Sequence, residues 1–126
     1  MRILIDTHVL IWYLEGNQEL SRSRRQMIVN SDNEIFVSVA SLWEIAIKTS
    51  IGKLKISRSL ADILQQLSIQ SIDLLQIQPG HILQVATLKF HHRDPFDRMI
   101  VAQAKIEFLP VITYDEVFGD YGIKML

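Results

Sequence analysis

The chain has 126 residues, a formal net charge of −1 and no cysteine, and 48% of its residues are hydrophobic. This length fits one domain, residues 1–126, with a sizeable core, and the composition does not indicate disorder. The lack of cysteine excludes disulfides, thiolate nucleophiles and cysteine-ligated zinc sites, so a bound metal would need oxygen or imidazole ligands.

No apolar run approaches the length of a membrane span, and the first residues, 1–6, do not have the pattern of a signal peptide. We therefore expect a cytoplasmic protein without membrane contact. The near-zero net charge neither predicts nor excludes nucleic acid. Basic residues do form three local clusters, each of which also suits a solvated surface: 22–25, 48–58 and 91–98.

Short apolar runs alternate with helical patterns along the whole chain. Strands are predicted at 3–5, 35–37, 72–77 and 110–115, with a candidate edge strand at 123–126. Helices are predicted at 9–14, 20–30, 38–50 and from 59 to about 67. Another helix is predicted to begin at 79, and the last is predicted to begin after residue 95 and to end at 108. This alternation predicts a three-layer α/β domain with a central, mostly parallel sheet flanked by helices.

The helix after residue 95 carries an acid on its apolar side. Helical spacing aligns Asp97 with Ile100, Val101, Ala104 and Phe108. A charge facing a core must be paired, hydrogen-bonded or bound to a cation. Asp94-Pro95 fits a helix start, in which Asp94 would be the N-cap and Asp97 would occupy N3. We favour capping for Asp94 and a functional role for Asp97.

Three more acids are expected near the same edge of the sheet. Asp6 and Asp115 follow strands, and Glu44 lies early in the helix that follows the second strand. Structural alternatives remain for each: a helix cap for Asp6, a turn for Asp115, and an exposed i,i+4 pair with Lys48 for Glu44. Their shared recurrence at strand ends favours function.

Four carboxylates in one cleft would repel each other unless a divalent cation supplied the opposite charge. Oxygen ligands suit Mg²⁺ or Mn²⁺, which can activate water for phosphodiester cleavage. The predicted catalytic and metal-binding residues are therefore Asp6, Glu44, Asp97 and Asp115.

The neighbouring polar and aromatic residues are less informative. Thr7 and Thr113 lie beside two of the acids, where capping and β-propensity are somewhat favoured over orienting water or phosphate. The four histidines, His8, His81, His91 and His92, share no ligand spacing and are predicted to lie at the surface or to face phosphate. The aromatic residues Trp12, Trp43 and Phe96 are predicted to lie in the core.

Four segments in order give the chain a resemblance to a known family. They are ILIDTH at 3–8, SVASLWEI at 38–45, HRDPFDR at 92–98 with AQA at 102–104, and VITYD at 111–115. With these segments the chain resembles the PIN-domain ribonucleases, and within them the VapC-like toxins of type II toxin–antitoxin systems. The family's three acids fall on Asp6, Glu44 and Asp97, and its fourth position, often Asp or Asn, falls on Asp115.

The resemblance implies a PIN fold and a hydrolase, a Mg²⁺- or Mn²⁺-dependent endoribonuclease. It also implies a homodimer, a cognate VapB-like antitoxin, and a structured RNA substrate such as tRNA. The basic clusters would then contact the RNA backbone, with Arg98 the first candidate for a phosphate.

Other functions remain open from the residues alone. One is a small-molecule metal-dependent phosphohydrolase, although the chain lacks the Asp-x-Asp pair of a haloacid-dehalogenase type after its first strand. Another is a catalytically silent PIN module that binds protein or RNA, against which the intact acids argue. A phospho-acceptor receiver domain is weaker still, because its acidic pair and lysine have no evident counterparts here.

Overall fold

A computed structural model describes residues 1–126 and has a four-stranded parallel sheet at its centre. The strands are β1 (Arg2–Ile5), β2 (Glu34–Ser38), β3 (Ile72–Leu75) and β4 (Val111–Ile112). The helices are α1 (Thr7–Glu15), α2 (Arg22–Val29), α3 (Val39–Ser50), α4 (Leu60–Ile69), α5 (Pro79–Thr87) and α6 (Pro95–Glu107). A 3₁₀ helix, Glu116–Tyr121, follows β4.

The strand order is β3-β2-β1-β4, so β1 lies inside the sheet between β2 and β4. All pairings are parallel, and Ile5 is in register with Val37 on one side and Ile112 on the other. The strands therefore end level with each other. The residues that follow them project from one edge of the sheet, which is where parallel α/β sheets place their sites.

Alternate residues of β1 contribute to two separate cores. Ile3 and Ile5 pack with residues of α1, α2, α3 and α4, whereas Leu4 packs with residues of α6, β4 and the 3₁₀ helix. All three are fully buried, as expected for a central strand covered by helices on both faces. The predicted three-layer α/β architecture is confirmed.

Some predicted boundaries and exposures are wrong. The last predicted strand has only two residues, and the candidate edge strand contributes only an isolated bridge from Met125 to Val111. Phe108 is not part of the buried stripe but is 90% exposed, because α6 ends before it and Phe108 takes a left-handed C-cap conformation. No helix in the structure has the length and apolar character needed to cross a bilayer.

The aromatic residues divide between core and surface. Phe96 is buried as predicted, and Trp12 is partly buried against the core. Trp43 is 59% exposed, so its predicted place in the core is wrong. Its ring lies outside Phe96 in an edge-to-face contact with a centroid separation of 5.2 Å. The neighbouring Glu44 faces inward instead, because successive helical residues point about 100° apart.

Candidate active site

Asp6 lies at the carboxyl end of β1 and is 7% exposed. Its Oδ1 accepts a hydrogen bond from the backbone N–H of Val9 at 2.9 Å, so it caps α1. Its Oδ2 accepts from Thr113 Oγ1 at 2.6 Å. Burial raises the pKa of Asp6, an effect that the hydrogen bonds from Thr113 and Val9 oppose. Asp6 is thus both a helix cap and a carboxylate held in one orientation.

Glu44 lies in α3 and is only 3% exposed. Its Oε1 accepts from Thr7 Oγ1 at 2.7 Å, and its Oε2 pairs with Lys48. The alternative i,i+4 pair with Lys48 does form, but its carboxylate is buried. Lys48 also reaches Asp94 Oδ2 at 3.7 Å. Burial lowers the pKa of Lys48, but the hydrogen bond and charge of Glu44 outweigh this and leave that pKa raised.

The start of α6 places two acids in different roles. Asp94 Oδ1 accepts from the backbone N–H groups of Phe96 at 2.8 Å and Asp97 at 3.1 Å, which confirms the predicted N-cap. Asp97 has no such role, and its half-buried side chain faces other acids. Burial raises the pKa of Asp97 to about 7, with further contributions from the charges of Asp94 and Glu44. The charges of the neighbouring acids thus act directly on Asp97.

Asp115 follows β4 and caps the 3₁₀ helix, where its Oδ1 accepts from Val117 N–H at 3.0 Å. Its Oδ2 lies 2.6 Å from His92 Nε2. The charge of Asp115 acts on both Asp97 and Asp6, raising the pKa of each. The four acids predicted from sequence therefore meet at one edge of the sheet.

The side chains at this edge fit a divalent cation. One ligand atom each from His92, Asp97 and Asp115 lies within 4.8 Å of the other two. Carboxylate oxygens are the ligands that Mg²⁺ and Mn²⁺ prefer. Burial, and to a smaller extent the charges of neighbouring acids, raises the pKa values of Asp6 and Asp97. A bound divalent cation would supply positive charge that offsets both effects.

Two contributors were not recognised from sequence: His92 and Ser41. Ser41 Oγ lies 2.9 Å from Thr7 Oγ1, next to Glu44. Thr7 and Thr113 contact the acids themselves rather than being limited to capping or strand formation. The sequence signal for the threonines was their position beside the acids. His92 had no such signal, because its partner is 23 residues away.

Arg98 does not face the cleft, so its predicted role at a phosphate is wrong. Arg98 is 6% exposed. Its guanidinium donates to the carbonyl groups of Lys89, Val85 and Leu88 at 3.0, 3.1 and 3.3 Å. These carbonyls lie at and just beyond the C-terminal end of α5, where the last carbonyl groups of a helix lack intrahelical partners. Arg98 is a structural link between α5 and α6.

His81 is also structural, and its predicted surface position is wrong. The residue is fully buried. Its Nδ1 accepts from Gln78 N–H at 2.9 Å, and its Nε2 lies 2.9 Å from Glu107 Oε1. It therefore connects the start of α5 to the end of α6.

Three solved structures show the same fold. VapBC2 from Rickettsia felis, bound to a promoter DNA fragment, aligns with a TM-score of 0.73 and 13% identity over 100% of this chain and 98% of that chain. VapBC-1 from nontypeable Haemophilus influenzae aligns with a TM-score of 0.68 and 15% identity over 100% of this chain and 97% of that chain. FitAcB from Neisseria gonorrhoeae aligns with a TM-score of 0.65 and 19% identity over 100% of this chain and 96% of that chain.

At these identities the likeness shows a shared fold. No curated protein matches the sequence. The model of the PIN domain family, in contrast, matches residues 3–124, nearly the whole chain. With the parallel sheet and the edge of acids already described, this match shows that the chain belongs to the PIN domain family.

Proposed function

We propose that the protein is a Mg²⁺- or Mn²⁺-dependent endoribonuclease and the toxin of a toxin–antitoxin pair. The observation that carries the proposal is the meeting of Asp6, Glu44, Asp97 and Asp115 at one edge, with the pKa of Asp97 raised to about 7. Structural need does not explain Asp97, because capping of α6 is already supplied by Asp94. Membership of the PIN family supports a nuclease.

The four acids would hold the cation, and ligand atoms of Asp97 and Asp115 lie within 4.8 Å of each other in the cleft. When bound, a divalent cation lowers the pKa of water and stabilises negative charge on a phosphate. The hydrogen bonds from Thr113 and Val9 hold Asp6, and Thr7 with Lys48 holds Glu44.

Hydrolysis needs little else from the chain. Water loses a proton and attacks phosphorus, the P–O bond to one ribose oxygen breaks, and that oxygen leaves as a hydroxyl after taking up a proton. The cleft must keep the attacking and leaving oxygens in line. Residues fixed by buried hydrogen bonds suit that task, since they do not have to reorganise as charge develops. RNA would approach over exposed basic residues near the cleft, of which Arg93 directly precedes Asp94.

A VapB-like antitoxin and a second copy of the chain are the proposed protein partners. The solved structures from Rickettsia felis and Haemophilus influenzae are of VapBC proteins, which supports the antitoxin. Exposed apolar side chains on and after α5 support the homodimer: Ile82, Leu83 and Phe90 are 57%, 71% and 83% exposed. Large apolar groups clustered at a surface usually mark an interface.

The test uses purified protein freed of any bound antitoxin. We expect cleavage of RNA with Mg²⁺ or Mn²⁺, loss of cleavage with EDTA, and a loss on the order of 100-fold in Asp97→Asn. Asp73→Asn is the control, because Asp73 is exposed on β3 and makes no side-chain hydrogen bond or ion pair. Full activity of Asp97→Asn, or turnover of a chromogenic phosphate ester but not of RNA, would contradict the proposal.

A further inference from the structure

The imidazole of His92 lies in a chain of hydrogen bonds that ends at Asp115. The Tyr121 hydroxyl accepts the backbone N–H of His92 at 2.8 Å and lies 3.1 Å from the ring Nδ1. On the other side of the ring, Nε2 lies 2.6 Å from Asp115 Oδ2. The loop before α6 is thereby joined to both ends of the 3₁₀ helix.

These contacts give the direction of the hydrogen bond between His92 and Asp115. The Tyr121 oxygen already accepts the backbone N–H, so its own proton is free to be donated to Nδ1. Asp115 Oδ2 belongs to a carboxylate, which when ionised can only accept hydrogen bonds. Nε2 therefore donates to Asp115 Oδ2 across the 2.6 Å contact.

The ring cannot easily leave this position. The His92 side chain is 9% exposed. Its ring is stacked on Tyr121 with an interplanar angle of 1° and a centroid separation of 5.5 Å, and meets Phe118 edge-on at 5.2 Å. Rotation about the side-chain bonds would break the contacts with both aromatic rings and both hydrogen bonds of the imidazole. The donor atom is therefore fixed in space relative to the sheet edge.

Asp115 is in turn held at several atoms. Its Oδ1 accepts from Val117 N–H at 3.0 Å, and its own N–H donates to Thr113 Oγ1 at 3.0 Å. Only His92 contacts Oδ2 through a side chain. Because this oxygen has a second lone pair, the hydrogen bond fixes the direction of the carboxylate and leaves it able to bind a cation.

We propose that His92, backed by Tyr121, is a positioning residue that orients Asp115 for the metal site. The inference rests on the proposed function, since it names the group that prepares one of the proposed ligands. Hydrogen bonds to metal-binding carboxylates commonly contribute 10–100-fold to metal affinity or activity. Although a ring nitrogen of His92 lies within 4.8 Å of ligand atoms of Asp97 and Asp115, its Nε2 donates to Asp115, so in this proposal His92 orients that ligand and does not bind the cation.

The first experiment measures Mn²⁺ affinity by calorimetry, which does not depend on RNA cleavage. We expect His92→Leu to weaken Mn²⁺ binding about tenfold. His92→Gln, whose amide N–H can replace Nε2–H, should recover most of this loss. Gln65→Leu is the control, because Gln65 is exposed on α4 and makes no side-chain hydrogen bond. The melting temperature of each variant shows whether the fold is kept.

Tyr121→Phe tests the chain of hydrogen bonds with the loss of a single oxygen. It keeps the stacked ring and removes the partner of Nδ1, so we expect weaker Mn²⁺ binding, about threefold. This variant also tests the inference if His92→Leu does not fold. Wild-type Mn²⁺ affinity in a folded His92→Leu or in Tyr121→Phe would overturn it.

A second experiment separates positioning from direct ligation. Electron spin-echo spectra of the Mn²⁺ complex detect a metal-bound imidazole nitrogen, and selective ¹⁵N labelling of histidine would identify it. We expect no bound histidine nitrogen, and a bound His92 nitrogen would overturn the inference. If wild-type protein binds no Mn²⁺, the proposed function itself fails and the inference fails with it. If wild-type binds Mn²⁺ and only the His92 variants are unaffected, the inference alone fails.

Discussion

Thr113 Oγ1 donates to Asp6 Oδ2 at 2.6 Å, joining the residues that follow β4 and β1 although they lie 107 positions apart in the chain. Both groups are buried, at 0% and 7% exposure. The bond opposes the rise in the pKa of Asp6 that burial causes. The same hydrogen bond therefore joins the ends of two strands and favours the charged form of Asp6.

Thr113→Val should therefore destabilise the protein without changing the shape of the core. Valine has nearly the volume of threonine but leaves Asp6 Oδ2 without its donor, which typically costs about 1–3 kcal/mol. Urea unfolding at pH 7 measures the free energy of unfolding. Thr113→Ser keeps the hydroxyl and should lose less stability than Thr113→Val. Equal losses in both variants would show that the methyl group matters more than the bond.

Lys48→Met should show how far the stability of the folded protein depends on the ion pair between Glu44 and Lys48. The Glu44 carboxylate is 4% exposed as a side chain and has only Lys48 as a charged hydrogen-bond partner. We expect a loss of about 1–3 kcal/mol in the free energy of unfolding, because a buried charge would lose its partner. Lys53→Met, at an exposed position of the second basic cluster, is the control. A double-mutant cycle with Glu44→Gln would isolate the coupling, and additive losses would refute it.

Metal affinity should fall steeply on the acid side of neutrality. Because the pKa of Asp97 in the metal-free protein is about 7, a cation that binds Asp97 must displace a proton below that pH. We expect the Mn²⁺ affinity to weaken about tenfold for each pH unit below 7 and to change little above pH 8. Calorimetry in buffers of different ionisation enthalpy would count the released protons. An affinity that is flat from pH 5 to 8 would exclude Asp97 as a ligand.

Asp97→Asn should stabilise the metal-free protein at neutral pH. Between the ordinary carboxyl pKa of 3.8 and about 7, the folded state binds more protons at Asp97 than the unfolded state does. Wild-type stability therefore falls as pH rises through this window, and the asparagine variant escapes that loss. We expect a gain near pH 8 of about 1 kcal/mol, since partial exposure screens the repulsion, and no gain from this source near pH 4.

The measurement is thermal unfolding in EDTA across that range. The opposite pH trend, with the gain largest at pH 4, would show that the charge of Asp97 stabilises the folded state. Added Mn²⁺ should reverse the order of stability, because only the wild type retains the ligand.

Arg98→Lys should affect folding rather than RNA contact. The guanidinium donates to three carbonyl groups, and a lysine ammonium cannot match its planar fork. We expect a loss of about 2 kcal/mol in the free energy of unfolding, with an unchanged KM for RNA. Chemical denaturation and steady-state kinetics measure the two quantities. A large increase in KM without loss of stability would place Arg98 at the substrate after all.

Local patterns were sufficient to predict the layers and the general position of the site. The buried run at β1 and the alternation of strands and helices predict a parallel sheet, and a parallel sheet brings Asp6 and Asp115 to one edge whatever the details of packing. The Asp94-Pro95 start of α6 is likewise local, since the cap bonds N–H groups two and three residues away. The place of Asp97 on the same face as Ile100 and Val101 follows from helical spacing alone.

Only the tertiary structure decided which side chains hold the acids. His92 with Asp115 and Thr113 with Asp6 are pairs from distant segments, and no spacing in the sequence relates them. Arg98 beside Asp97 illustrates the same point, because neighbours on a helix point in different directions: Arg98 meets the open end of α5, and Asp97 meets the other acids. Sequence periodicity sets the face of an element, whereas the contact itself depends on the segment that packs against it.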